Sequence, residues 1–149
     1  MEPRKRVYLD IINALQSIEN NPIKRIDLWN ENVYFIEQEE AFPMPAVFVE
    51  FGAIEWEILK GKRSSWRGKG MVKIHIVTPW VGSAQAGATE QDANLEYWDL
   101  AQKIHHELEG LHDDCTYHGM SLIQTLTNHN HEDIVENIEV YKVVFERDI

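Results

Sequence analysis

The sequence has 149 residues, of which 44% are hydrophobic and 26% charged, a balance that excludes a disordered chain and predicts a single domain over residues 1–149. Its net charge of -11 comes from the second half, because 11 basic and 11 acidic residues precede Ile74 whereas 3 basic and 14 acidic residues lie from Ile74 onward. Stable nucleic-acid binding needs clustered cations, so this distribution excludes a protein that wraps DNA or RNA.

The first predicted element is an amphipathic helix. Apolar residues recur at three- and four-residue spacing from Val7 to Ile18, which is the pattern of one helical face, and Pro22 ends the helix. Two short apolar patches follow, Ile23–Trp29 and Val33–Ile36, with turn-forming asparagines between them. They predict one strand or two.

A long antiparallel hairpin is predicted next. Ala46–Phe51 is almost entirely apolar, as in a strand covered on both faces, and Gly52 predicts a bulge or bend. Ile54–Ile58 and Val72–Thr78 alternate apolar with polar residues, which is typical of half-buried strands. Between them Gly61–Gly70 is rich in glycine, serine and cations and predicts the hairpin tip.

A second helix and two final strands complete the predicted order. Thr89 and Asp92 resemble a capping box at the start of the helix, and Gly110 is a candidate C-terminal cap. Met120–Thr127 and Ile134–Phe145 are the last strands. The predicted fold class is α+β, a mixed and mainly antiparallel sheet of about five to six strands with two helices packed on one face, in the order α-β-β-β-(β)-α-β-β.

The core is predicted from residues on apolar faces of period two or 3.6. These are Val47, Val49, Val72, Ile74, Ile76, Trp98, Ile104, Leu108 and Val144.

Seven histidines raise the question of a metal site. Glu109 and His112 form a Glu-x-x-His pair, with His105 and His106 on the same helix, but a di-metal carboxylate site needs two such pairs on facing helices. The polar turn at 129–133 is explained more simply as a hairpin connection. We therefore expect no metal and no cofactor.

Nothing in the sequence specifies a reaction. Asp113 and Asp114 precede Cys115, and their charge disfavours the reactive thiolate, so this single cysteine is predicted to be a small buried residue in a reducing, cytoplasmic compartment. No nucleophile elbow, phosphate loop or dinucleotide fingerprint occurs. We expect no catalytic residue and no enzyme. The alternative is a small ligand- or metal-dependent enzyme, or a regulatory binding module, that uses the histidines of the second half.

Five tryptophans are divided between core and candidate interface. Trp29, Trp56 and Trp98 fall on strand or helix patterns and are predicted in the core, whereas Trp66 and Trp80 fall among glycine, serine and charge. Aromatic and cationic side chains in loops often anchor partners, although a basic run can also be a solvated loop. The candidate interface residues are Lys62, Arg63, Trp66, Arg67, Lys69 and Trp80.

The order of elements resembles that of bacteriophage and prophage tail terminator and head-tail joining proteins. The segments that carry the resemblance are PIKRIDLWNENVYF at Pro22–Phe35, PAVFVEF at Pro45–Phe51, VKIHIVT at Val72–Thr78 and the helix around Leu95–Leu108. These segments are patterns of hydrophobic strands and helices and not chemical signatures.

The resemblance implies a structural protein of virion assembly. It implies a homo-oligomeric ring, commonly a hexamer, that contacts tail-tube and head-connector proteins, in the host cytoplasm and then in the virion. DNA would pass through the ring without stable binding, and no membrane is involved. An acidic second half would suit a lumen that repels phosphate.

Overall fold

A computed structural model describes residues 1–30, 43–59, 65–80, 82–128 and 134–148. The predicted α+β class and its element order are confirmed. The elements are α1 (Pro3–Gln16), β1 (Arg25–Leu28), β2 (Ala46–Ile58), β3 (Ser65–Pro79), α2 (Gln91–Leu108), β4 (Tyr117–Asn128) and β5 (Ile134–Asp148).

All strands belong to one five-stranded sheet in the order β1-β2-β3-β5-β4. β1 runs parallel to β2, and the other neighbours are antiparallel. β3 and β5 pair without interruption from Ser65 opposite Asp148 to Pro79 opposite Ile134. β3 is the central strand and has 15 residues, so its two ends are far apart. β4 forms one edge of the sheet.

Both helices pack on the same face of this sheet, as predicted. Val7, Ile11 and Leu15 of α1 are fully buried at four-residue spacing, and Ile104 and Leu108 of α2 are buried beside them. Alternate residues of a strand point to the same face. The sheet side of this core therefore consists of every second residue, such as Val72, Ile74 and Ile76 of β3. The sheet residues in the cluster are Val47, Val49, Val72, Ile74, Ile76, Tyr117, Met120, Tyr141, Val143 and Phe145.

A second, smaller cluster lies on the opposite face. Ala46, Phe48, Val77 and Ile134 are buried there, with Trp29 packed against them. The segment Ala46–Val49 is thus buried on both faces, which explains why it contains no polar residue.

Several predicted boundaries are corrected. Ala46–Ile58 is one strand, with the predicted bulge present as a register shift between Phe51 and Ile54. The helix α2 begins at Gln91 without a side-chain cap, so the capping box at Thr89 is wrong. Gly110 follows α2 with a φ of 79°, consistent with its predicted capping role. The candidate strand at 33–36 lies outside the described residues.

Two residues of the predicted core are not buried. Trp98 is 65% exposed, because the buried stripe of α2 passes through Leu100, Ile104 and Leu108 and leaves position 98 on the flank. Val144 is half-buried, because its neighbours Val143 and Phe145 both take the helix-covered face and Val144 points to the opposite one. Among the described residues, no helix is long and apolar enough to cross a membrane.

Candidate functional site

The structure assigns the predicted interface residues to different settings. Trp66, Arg67 and Lys69 lie within β3, paired with β2 on one side and β5 on the other. The expectation that they lie in a loop tip is therefore wrong, because glycine and serine content does not reveal that neighbouring strands extend this far. Trp80 directly follows β3 and is half-buried. Lys62 and Arg63 lie outside the described residues.

The cations within β3 have acidic neighbours across the sheet. Arg67 lies opposite Glu57 of β2 and Glu146 of β5, and its Nη2 is 3.3 Å from an oxygen of Glu146. Lys69 lies opposite Glu55. Side chains directly opposite one another share a face, so Arg67 belongs to a cross-strand ion pair and Lys69 lies on the same face as an acid of β2.

Two glycines of β3 make room for large side chains. A Cβ at Gly68 would lie 2.6 Å from Ile54 Cγ2 and 2.8 Å from Trp56 Cε3, and a Cβ at Gly70 would lie 2.9 Å from Ile54 Cγ1. The guanidinium of Arg147 covers the Trp56 ring at 4.7 Å. The glycines that we interpreted as turn residues are thus packing positions in the sheet.

A groove runs between α2 and the edge strand β4. Two adjoining cavities of about 370 and 390 Å³ form it and share Trp98, Thr127 and Asn137 as lining residues. Trp80 lines the first cavity. Among the described residues that line either cavity, none is lysine or arginine. We call this feature the α2–β4 groove.

The floor of the α2–β4 groove carries buried polar atoms. Glu139 is 7% exposed and its carboxylate accepts a hydrogen bond from the Thr125 hydroxyl at 2.6 Å. The Asn137 oxygen accepts one from the Thr127 hydroxyl at 3.1 Å. Thr78 is fully buried, and no described residue is within hydrogen-bond reach of its Oγ1. Buried polar groups normally have partners, so this floor is suited to a polar ligand.

Tyr141 lies beside this floor. Burial raises the pKa of its hydroxyl above the ordinary value, and the negative charges of Glu139 and Glu109 raise that pKa further. The hydroxyl oxygen is 3.1 Å from His105 Nδ1. The phenol therefore stays neutral at physiological pH.

A buried histidine lies on the opposite face of the sheet. His75 Nδ1 is 3.1 Å from an oxygen of Glu136, and its Nε2 is 2.8 Å from an oxygen of Glu50. The ring stacks on Trp29, with centroids 3.9 Å apart and planes 4° from parallel. These side chains tie β2, β3 and β5 together, and Trp29 follows β1.

Glu109 and His112, the Glu-x-x-His pair that the sequence raised as a metal motif, have other partners. Glu109 accepts hydrogen bonds from the Ser121 hydroxyl and the Leu122 N–H, while His112 Nδ1 lies 3.1 Å from the Gly110 carbonyl. Within the described ranges, no group of three or more His, Cys, Asp or Glu side chains could hold a metal ion. The turn at 129–133 lies outside those ranges.

Cys115 is exposed, so its predicted burial is wrong. The Asp113 carboxylate accepts hydrogen bonds from the Thr116 hydroxyl at 2.7 Å and from the Cys115 N–H at 3.3 Å. These bonds lower the pKa of Asp113, the Thr116 bond most, with a smaller lowering by the Arg6 charge. The Asp113 side chain thus stabilises a turn in which Cys115 is exposed to solvent.

Comparison with known proteins gives a similarity of fold. No protein-family model matches the chain, and no curated protein matches it. The fold is similar to that of a chain in the solved structure "Virion of native gene transfer agent (GTA) particle", with a TM-score of 0.57 and 12% identity over 93% of each chain. At this identity the similarity shows a common fold.

The sequence did not predict the α2–β4 groove. Trp98 fits a buried helical stripe nearly as well as Tyr97 does, so its position between core and groove depends on how α2 lies on the sheet. One available signal was the polar pair Asn137 and Glu139, which share the period-two face of the apolar Tyr141 in β5. Polar residues on an inward face indicate a buried polar site.

Proposed function

We propose that this chain is a structural protein of a phage or phage-like particle, acting as a ring-forming tail terminator or head-tail connector subunit and not as an enzyme. The observation that carries the proposal is the fold shared over 93% of both chains with a component of a gene transfer agent virion. The order of elements agrees with the resemblance to tail terminator and head-tail joining proteins.

The charge distribution supports this function. From Ile74 onward the sequence has 14 acidic residues and only 3 basic ones, and eight of the acidic residues lie in α2 or β5. A lumen lined by this half would repel DNA phosphates and let DNA pass without binding. The proposed partners are further copies of the chain, commonly six in a ring, together with tail-tube and head-connector proteins.

Assembly is the direct test. The purified chain, alone at rising concentration and mixed with the tail-tube protein encoded near it, should give particles of multiple subunit mass by light scattering and rings by electron microscopy. The genes adjacent to the one that encodes this chain should include portal, capsid and tape-measure genes. A chain that stays monomeric with and without tail-tube protein would overturn the proposal, as would a purely metabolic neighbourhood.

A further inference from the structure

We propose that the α2–β4 groove of one subunit receives a lysine or arginine side chain from the β2–β3 connection of a second copy of this chain. The inference rests on the proposed function and names the contact between neighbouring subunits.

The groove has the chemistry of a site for a cationic side chain. Glu139, a buried residue that lines the groove, contributes a carboxylate with Thr125 as its hydrogen-bond donor. A buried carboxylate is stabilised by a hydrogen-bonded cation. Trp98, 65% exposed, lines the same cavity, and tryptophan is the best aromatic partner for a cation and for the apolar stem that carries it.

The polar atoms of the floor fit a group with several donors. Thr78, whose buried hydroxyl has no partner among the described residues, lines the adjoining cavity. Asn137 lines both cavities. Ammonium and guanidinium groups carry three and five N–H donors, about as many as these acceptors can use. The arrangement favours a cationic side chain over a wholly apolar ligand.

The same chain contains candidates for this cation. The sequence between β2 and β3 contains Lys60, Lys62 and Arg63, with no acid between Leu59 and Ser65. The second half of the chain, which forms the groove, has the acidic excess. Electrostatic complementarity between these two parts would set both partner choice and orientation.

A subunit cannot fill its own groove. The β2–β3 connection precedes Ser65, at one end of β3, whereas Thr78 in the groove lies at the other end. At a rise of about 3.3 Å per residue, the length of β3 separates them by roughly 45 Å. The contact is therefore between subunits, and two different surfaces that meet head to tail produce a ring when the rotation closes.

Three matched variants of the full-length chain test the groove. Glu139→Gln removes the charge with little change of shape, Trp98→Ala removes an exposed ring, and Glu96→Gln removes an exposed charge of α2 outside the groove. We expect the first two, and the double variant Lys62→Ala/Arg63→Ala, to weaken self-assembly in light scattering by about tenfold or more. Glu96→Gln should assemble as wild type does.

Cross-linking tests the geometry. In a Cys115→Ser background, Trp98→Cys combined with Arg63→Cys should form disulfides between chains under mild oxidation, whereas Leu9→Cys with Arg63→Cys should not. If every groove and cation variant still formed rings, or if rings formed but the Trp98→Cys and Arg63→Cys pair did not cross-link, this contact would be overturned and the proposed function would stand. Rings lost only with the Lys62 and Arg63 changes would move the contact elsewhere. A chain that never assembles would overturn both.

Discussion

At the scale of single residues, the least obvious positions are the glycines of β3. Gly68 faces Ile54 and Trp56 from the neighbouring strand, and the guanidinium of Arg147 lies over the indole of Trp56. The large ring of Trp56 is accommodated only because the position opposite has no side chain. A substitution there changes packing and not turn geometry.

Gly68→Ala should lower the free energy of unfolding by about 1–3 kcal/mol, because the methyl group overpacks against Ile54 and Trp56. Gly52→Ala is the matched control, since its nearest contact would be 3.5 Å from the Met71 carbonyl, and it should change stability by less than about 1 kcal/mol. Urea unfolding of both variants gives the comparison. Equal values would mean that the Trp56 ring moves aside without cost.

A second residue-scale prediction concerns alkaline pH. The Tyr117 hydroxyl donates to Asp10 Oδ2 at 2.7 Å, and burial, followed by that bond and the charges of Asp10 and Asp113, raises the pKa of Tyr117 above its ordinary value of 10.0. A raised folded pKa means that the contribution to stability is complete below about pH 10 and is lost as the pH rises toward the folded pKa.

Tyr117→Phe should therefore have two effects. At neutral pH it should cost about 0.5–1.5 kcal/mol for the lost hydrogen bond, with Arg6 still paired to Asp10. Between about pH 9 and 11 the variant should lose less stability than wild type, because one tyrosine with a raised pKa is absent. Urea unfolding at several pH values measures both, and parallel pH profiles would contradict the second effect.

At the scale of elements, the end of α2 is fastened to the edge strand β4. The Glu109 carboxylate accepts from the Leu122 N–H at 2.9 Å and from the Ser121 hydroxyl at 3.1 Å. The Gly110 N–H donates to the Met120 carbonyl at 2.9 Å. These bonds occupy the free side of β4 near its start, which protects that part of an edge from strand addition.

Glu109→Ala should release this part of β4 without unfolding the sheet. The Leu122 amide should exchange its hydrogen about tenfold faster, because one charge-assisted hydrogen bond is lost. Glu96→Ala, an exposed acid on the same helix, is the control and should leave that rate unchanged. Native-state hydrogen exchange followed by NMR gives the rates, and unchanged protection at Leu122 would show that the bond to Glu109 does not limit exchange of this amide.

The elements also show why prediction succeeded in some places and failed in others. Val7, Ile11 and Leu15 form a periodic stripe that needs no tertiary information, and the alternation of Val72, Ile74 and Ile76 is equally local. The assignment of Trp66 to a loop failed because this part of β3 is paired with β5, which is distant in sequence. Arg67 and Glu146, for example, are in contact although they are 79 positions apart. The α2–β4 groove depends on how a helix lies over an edge strand, and local periodicity does not contain that information.

At the scale of the whole molecule, we expect that shortening the connection between β2 and β3 abolishes self-assembly and leaves folding intact. Leu59 N–H bonds to the Ser65 carbonyl at 3.0 Å, so the strands are already joined at the base of the connection. Replacing residues 60–64 by Asn-Gly, a favoured two-residue hairpin turn, should leave circular dichroism and thermal stability nearly unchanged.

Self-assembly of this shortened variant should be lost, because the cations at 60, 62 and 63 are gone. Two controls separate charge from length: a neutral five-residue linker, Gly-Ser-Gly-Ser-Gly, should also fail to assemble, and Lys60→Arg/Lys62→Arg should assemble normally. Light scattering at matched concentrations measures all three. Assembly of the neutral variant at the wild-type level would exclude a role for these charges.

The contact of His75 with Glu50 and Glu136 has a consequence for the evolution of this sequence. Each carboxylate bonds to the imidazole, and removal of one partner leaves buried polar atoms of His75 or Glu136 without that hydrogen bond, which is destabilising. Single substitutions at these three positions should therefore be removed by selection, whereas concerted replacement by apolar residues can be tolerated. In a set of homologues the three positions should vary together or remain constant together, and Trp29, which stacks on the ring, should follow His75.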